Sequence, residues 1–319
     1  MSETDAVSRG ESAVPRGESA APRGESAVLP GESAVLPGEV GVLGGGRMGA
    51  GIAHAFLLAG SRVAVVERDA EQCEGARERV ESAIHASIER ATTQEEFGAL
   101  ADRFTVTTSD EAFETAALVI EAVPEVHDLK VSSLRRIEAH VDRECVIASN
   151  TSSISIDDLA GSLESPERFV GMHFFNPVPA SSLIEVVVGA RSDPAVVSKV
   201  QGWARTLGKT PVTVSDAPGF ASSRLGVIVG LEAIRMLEEG VASAEDIDAA
   251  MVLGYRYPVG PLRLADIVGL DVRLGIAEYL YEQLGERFAP PQLLRDKVAA
   301  GELGRKTGRG FFEWSGGQA

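Results

Sequence analysis

Two hydrophobic rhythms alternate along the chain from Val40 onward. The segments 40–44 (VGVLG), 62–67 (RVAVVE), 117–123 (ALVIEAV) and 145–149 (CVIAS) are short, almost wholly apolar and rich in Val and Ile. Strands buried on both faces have this composition. Longer stretches with helical spacing lie between them: 69–90, and 126–141 with Leu129, Leu134, Ile137 and Val141 expected on one buried face. Strands alternating with helices over tight connections predict an α/β domain with a doubly wound, mainly parallel sheet. After Asn150 come two more strand-like runs, 168–175 and 183–188, around a loop holding Pro177 and Pro179, then a helix over 194–207 and a strand PVTVS. Beyond Asp216 the strand pattern gives way to helices over 222–239, 244–253 and 270–284. An all-α C-terminal domain is therefore expected over 217–319, behind an α/β domain over 39–216.

The first 38 residues follow neither rhythm. They repeat a short unit, RGESAVP at 9–15, RGESAAP at 16–22, RGESAVLP at 23–30 and GESAVLP at 31–37. Gly and Pro in every unit oppose a helix, and so few apolar side chains do not offset the entropy of ordering. A disordered tail is expected over 1–38, with order beginning at Val40.

Composition narrows the partners. With 30 Lys and Arg against 47 Asp and Glu the net charge is −17, which opposes nucleic acid and anionic membrane surfaces. Local phosphate binding at a helix N-terminus is unaffected by that total. The two cysteines, Cys73 and Cys145, have no metal-ligand or disulfide spacing and read as buried thiols, and no metal site is indicated. Neither a signal peptide nor an apolar run of membrane-spanning length appears, so a cytoplasmic location is expected.

The first strand runs directly into Gly44-Gly45-Gly46-Arg47-Met48-Gly49, a G-x-G-x-x-G opening a helix, and the second strand ends at Glu67, eighteen residues past Gly49. Strand, glycine loop, helix and acidic strand end together make the dinucleotide-binding context of a Rossmann-type domain. Gly44 serves the tight turn, Gly46 the close approach of a pyrophosphate, and Gly49 the packing of helix on strand. Glu67 would accept the adenosine ribose hydroxyls and repel a 2'-phosphate, so NAD is expected over NADP, although Arg68 is adjacent.

Polar residues cluster in three further segments: Ser149-Asn150-Thr151-Ser152-Ser153 past one strand, Met172-His173-Phe174-Phe175-Asn176-Pro177 on the next, and Leu183-Ile184-Glu185 on the one after. Oxidation of an alcohol by NAD leaves a hydroxyl proton to remove, and an imidazole suits that near neutrality. A pairing of the two strands that brings Glu185 to His173 would fix the tautomer. Ser152 has a second use, as an N-cap of the helix near 156–160, which Ser155 fills better.

With the strings GGGRMGAGIA, VIEAVPE, SNTSS, GMHFFNPVP, DAPGF, EEGVASAEDID and GRKTGRGFFEW in this order, the chain resembles the 3-hydroxyacyl-CoA dehydrogenase family over residues 40–314, including its bacterial 3-hydroxybutyryl-CoA members. The resemblance implies that Ser152 hydrogen-bonds the substrate 3-oxygen, that His173 is the general base or acid, and that Glu185 orients it. It further implies that Glu125, Lys130, Asn150, Asn176 and Lys306 stand near the cofactor, that an acyl-CoA thioester fills the interdomain cleft, and that two copies pair through the C-terminal domain. Two positions depart from the family pattern: Ser223 stands where PGF-x-x-N-R carries Asn, and Ser181-Ser182 where Met-Lys is common. These leave acyl length and the choice between CoA and an acyl carrier protein open. A 3-hydroxyacid dehydrogenase of the 6-phosphogluconate group would need a catalytic Lys within 222–239, where none occurs, and a non-catalytic scaffold would not need Ser152, His173 and Glu185 together.

Overall fold

The computed structural model describes residues 34–314. The first strand, β1 (Glu39–Leu43), leads into α1 (Arg47–Leu58), followed by β2 (Arg62–Val66), α2 (Ala70–Glu89), α3 (Phe97–Ala101) and β3 (Phe104–Thr107). Next come β4 (Leu118–Glu121), α4 (His127–His140), β5 (Val146–Ser149), α5 (Ile156–Ala160), β6 (Phe169–Phe174), β7 (Leu183–Val188), α6 (Pro194–Thr206) and β8 (Thr210–Ser215). The strands form one sheet in the order β3-β2-β1-β4-β5-β6-β7-β8. Every neighbouring pair is parallel except β6 and β7, which are antiparallel. The order reverses at β1, between β2 and β4, so a crevice opens beyond the carboxyl end of β1.

Both faces of the sheet are covered. Ile52, Phe56, Val80, Ile84 and Trp203 pack on one face and Leu134, Ile137, Ile156 and Leu159 on the other. The C-terminal helices α7 (Ser222–Glu238), α8 (Ala244–Ala249), α9 (Pro261–Val268), α10 (Leu270–Leu284) and α11 (Gln292–Ala299) hold a separate apolar cluster around Val227, Leu231, Ile234, Leu262 and Leu280. Beyond β8 the described residues contain only isolated bridges at Gly304, Arg309 and Glu313. Among the described residues no helix is long and apolar enough to cross a membrane.

Several expectations are corrected. Order begins before Val40: Trp203 Nε1 donates to the Val35 carbonyl (3.0 Å), Thr206 Oγ1 to the Ala34 carbonyl (2.8 Å) and Ser61 Oγ to the Pro37 carbonyl (2.8 Å). Leu36 packs on the core beside them. The end of the last repeat is therefore part of the fold, because α6 and Ser61 supply donors and apolar surface that composition alone does not reveal. The remainder of the expected tail, 1–33, lies outside the described residues.

Leu129 is 40% exposed and Lys130 is 1% exposed. Lys130 stands four residues before Leu134 and seven before Ile137, on the buried stripe, whereas Leu129 is five before Leu134 and turns away from it. Of the two thiols, Cys145 is buried and Cys73 is half-buried. The helix expected to reach residue 253 ends at Ala249 and continues as one π turn over Ala250–Gly254. The elements β3, α3, α9 and α11 had no counterpart in the sequence reading.

Candidate active site

A cavity of about 880 Å³ lies against the carboxyl ends of β1, β2 and β5 and is closed by α7 and α10. Its floor begins with the glycine loop. Gly44 has φ +96°, and a Cβ there would press on the Ala122 carbonyl at 3.0 Å. A Cβ at Gly49 would collide with the Gly44 carbonyl, whereas one at Gly46 would meet open space. Gly44, Gly46, Arg47 and Met48 line the cavity, and no side chain caps the first turn of α1. The amides of that turn therefore face a space that accepts an anion.

Glu67 also lines the cavity, with Oε1 accepting from Gly45 N at 2.6 Å and Oε2 from Arg68 N at 3.2 Å. Arg79 holds the same loop from the other side by donating to the Gly45 carbonyl at 2.9 Å. These contacts fix a carboxylate at the end of β2, on the cavity wall. The donor set fits the adenosine and pyrophosphate half of a dinucleotide.

Beneath the next part of the wall lies a buried charge cluster. Lys130 Nζ donates to both Glu121 oxygens (2.8 and 3.0 Å), pairs with Glu125 Oε2 (3.2 Å) and donates to the Val123 carbonyl (3.2 Å). Glu121, fully buried, also accepts from Val123 N and from Ser149 Oγ at 2.5 Å. Glu125 Oε1 accepts from Thr151 Oγ1 (2.6 Å), Ser152 N (2.9 Å), Ser153 N (3.0 Å) and, at longer range, Ser152 Oγ (3.3 Å). Burial alone would raise the Glu125 carboxyl, but the Lys130 charge and these hydrogen bonds outweigh it and hold the pKa below the ordinary value. The 149–153 loop that presents Ser152 to the cavity is thereby tied to Glu125.

Opposite lies the histidine. The antiparallel register of β6 and β7 sets His173 directly across from Glu185, and Nδ1 meets Oε2 at 2.8 Å. Phe175 and Phe220 flank the ring at centroid distances of 4.3 and 5.9 Å. Glu185 is held in turn by the start of α7: Oε1 accepts from Ala221 N (3.1 Å) and Ser222 N (2.7 Å), and Oε2 from Ser222 Oγ (2.6 Å). Burial raises the Glu185 carboxyl, and the bonds from His173 and Ser222 overcome that and keep it ionised below the usual carboxylate range. With Nδ1 engaged, Nε2 is the ring nitrogen left for a ligand.

The family model described as 3-hydroxyacyl-CoA dehydrogenase, NAD binding domain, matches residues 39–217, and that of the C-terminal domain matches 219–314. The chain belongs to the 3-hydroxyacyl-CoA dehydrogenase family. It is 38% identical over 273 residues to a probable 3-hydroxybutyryl-CoA dehydrogenase of Bacillus subtilis, covering 85% of this chain and 95% of that one. Identity to a 3-hydroxybutyryl-CoA dehydrogenase of Mycobacterium tuberculosis is 40% over 275 residues, covering 85% and 96%. The crystal structure of (S)-3-hydroxybutyryl-CoA dehydrogenase from Ralstonia eutropha superposes with a TM-score of 0.84 at 40% identity, over 88% of this chain and all of that one. The chain is thus an NAD-dependent dehydrogenase by family, and its cofactor domain is the glycine-loop half described above.

Within this dehydrogenase the residues singled out from sequence fall into three groups. Gly44, Gly46, Arg47, Met48, Glu67, Glu125, Asn150, Ser152, His173, Asn176 and Ser223 line one cavity. Gly49, Lys130 and Glu185 lie directly behind that wall, Lys130 touching it through Glu125 and the Val123 carbonyl. Lys306 forms the third group: it is not itself a lining residue, and its ammonium donates to Asp271 at 2.6 and 2.7 Å, next to the lining residues Val268 and Val272. Asn150 has its own structural task, accepting from Phe174 N at 2.9 Å and so joining β5 to β6. Ser155, not Ser152, caps α5. Sequence reasoning missed Glu121, Arg79 and Ser222. Ser222 carried a usable signal, since it opens the helix that follows DAPGF, and the hydroxyl of its neighbour Ser223 makes no hydrogen bond among the described residues. The other histidines are accounted for by packing or surface bonds: His54 with Ser87, His85 stacked on Phe97, His127 between Asp128 and Asp158, and His140 on the Arg136 carbonyl.

Proposed function

We propose that the enzyme catalyses the reversible oxidation of a short (S)-3-hydroxyacyl-CoA to the 3-oxoacyl-CoA, with His173 as general base and acid. The observation that carries this reading is the His173–Glu185 pair, 2.8 Å apart and facing a cavity whose far end is a dinucleotide loop. NAD, when bound, supplies the hydride acceptor. The amides at the start of α1, with Arg47 and Met48, hold its pyrophosphate, and Glu67 its adenosine ribose. His173 Nε2 removes the 3-hydroxyl proton, and the Glu185 carboxylate keeps Nδ1 protonated and stabilises the imidazolium. The Ser152 hydroxyl, set by the Glu125-anchored loop, donates to the substrate 3-oxygen, and Ser223 faces the same space from α7. Phe175 and Phe220 keep water from the imidazole.

The helical domain exposes Leu225, Val241, Leu253 and Tyr255 at 60% or more, and pairing of two copies through that domain would cover apolar surface of this size. The proposal includes a cytoplasmic location, where NAD and acyl-CoA thioesters are both at hand.

Steady-state kinetics test the pair. His173→Gln is expected to lower turnover about a hundredfold or more with NADH binding retained. Glu185→Gln is expected to lower it as well, and the double variant to be scarcely worse than His173→Gln, since Glu185 acts through the imidazole. Multiplicative losses in the double variant would give Glu185 a separate task and overturn the assignment.

A further inference from the structure

The glycine loop is gripped from behind by a side chain to which the proposed reaction gives no part. Arg79, on α2, donates from Nη1 to the Gly45 carbonyl at 2.9 Å, across 34 residues of sequence. Among the described residues the guanidinium enters no ion pair. Its neighbours three and four residues away on α2 are Gly75, Ala76, Ser82 and Ala83, whereas the acidic residues of that helix, Glu71, Glu74, Glu78, Glu81 and Glu89, fall at other spacings. The helix therefore offers Arg79 no carboxylate on its own face.

Two small residues make room for the grip. A Cβ on Gly75 would stand 3.2 Å from Arg79 Nη2 and 3.5 Å from Nη1, and a Cβ on Gly45 would collide with the Ala76 methyl group. Gly75 lies inside a helix of 20 residues, where its backbone freedom is destabilising. That position gives up helix stability and leaves the guanidinium its place beside the loop.

Both polar groups of Gly45 are thus held by side chains, the N–H by Glu67 at 2.6 Å and the carbonyl by Arg79. The peptide between Gly45 and Gly46 is trans, so its N–H and C=O point in opposite directions. With the carbonyl drawn toward α2, the Gly46 amide is turned away from it. Gly46 lines the cavity and opens α1 without a side-chain cap. Three consecutive glycines have more freedom to lose than any other tripeptide, and freedom that is lost on binding is subtracted from affinity.

Building on the NAD site described above, we propose that Arg79 is a positioning residue for the cofactor. By pinning the Gly45 carbonyl it holds Gly44, Gly45 and Gly46 in the conformation that receives the dinucleotide pyrophosphate, and Gly75 keeps open the space in which it does so. Its effect is on cofactor affinity, since His173 and Glu185 stand on other strands and are not touched by it.

Binding of NADH, followed by its fluorescence, and of ADP-ribose, followed by calorimetry, tests this in Arg79→Met, Arg79→Lys and Gly75→Leu. Arg79→Met is expected to raise both dissociation constants about tenfold, the size of one charge-assisted hydrogen bond, with KM for NAD rising in step and kcat at saturating NAD not falling. Arg79→Lys is expected to recover part of the loss. Gly75→Leu is expected to weaken both ligands too, by filling the place of the guanidinium, while its Tm equals or exceeds that of the wild type because a helix glycine is gone. The double variant Gly75→Leu with Arg79→Met is expected to bind no worse than Arg79→Met, since both changes act on one contact. Wild-type affinity in Arg79→Met, multiplicative losses in the double variant, affinity that falls only in step with Tm, or a rise confined to the KM of the thioester overturns the proposal. Arg79 is exposed on α2, so its variants decide the matter whether or not Gly75→Leu folds. Failure of the wild type itself to bind NADH would overturn the NAD site, and this proposal with it.

Discussion

Replacing Lys130 with Met removes the ammonium from a cluster in which Glu121 is fully buried and Glu125 sits at the cavity wall. Glu121 would keep its bonds from Val123 N and Ser149 Oγ but lose two contacts of 2.8 and 3.0 Å to an ammonium. Leaving one member of a buried pair uncompensated costs roughly 3–5 kcal/mol. For a chain of this size that corresponds to a fall in Tm of roughly 5–8 °C. Thermal and urea unfolding followed by circular dichroism measure it directly. The double variant Lys130→Met with Glu121→Gln removes both charges and is expected to recover most of the loss, since the amide can still accept from Ser149. The charge-assisted hold on Glu125 also disappears, so the 149–153 loop loosens and KM for the thioester should rise. A loss below about 1 kcal/mol, or a double variant no more stable than the single one, would show that the cluster is more solvated than its burial implies.

Two further predictions concern stability. Deleting residues 1–33 should leave Tm unchanged, whereas deleting 1–38 should cost roughly 2–4 kcal/mol, because Trp203 and Ser61 lose their carbonyl acceptors and Leu36 its place on the core; equal melting of the two truncations would contradict the docking of residues 34–37. His54 is 1% exposed and burial lowers its pKa from 6.5 to about 4, so the unfolded chain binds a proton there at higher pH than the folded one. Its contribution is intact above about pH 6.5 and is lost as pH falls toward 4, about 3 kcal/mol in all. Urea midpoints across that window should fall less steeply in His54→Gln than in the wild type, and parallel curves would refute the assignment.

The pairing of His173 with Glu185 was legible because both lie on consecutive strand-like runs, and an antiparallel return fixes one register that brings them together. The glycine loop was legible because its neighbours on both sides were unmistakably strand and helix. Lys130 was not, although its spacing to Leu134 and Ile137 is that of a core position: a charged residue on an apolar stripe reads as solvent-facing until its counter-charges, here on β4 and the loop after it, are brought alongside by tertiary structure. Residues 34–37 were hidden for a related reason, since the donors that order them come from α6, far along the chain. The partner of Lys306, Asp271, was hidden in the same way, since 35 residues separate the two and only the fold brings them together.

Oxidation of a 3-hydroxyacyl thioester with NAD in this cavity is read out by initial rates with (S)-3-hydroxybutyryl-CoA and either NAD or NADP, set beside the (R)-ester. The expected result is NADH formation from the (S)-ester, a preference for NAD over NADP of about tenfold or more from the carboxylate of Glu67, and little turnover of the (R)-ester. A preference for NADP, equal use of both esters, or no turnover of either would contradict it.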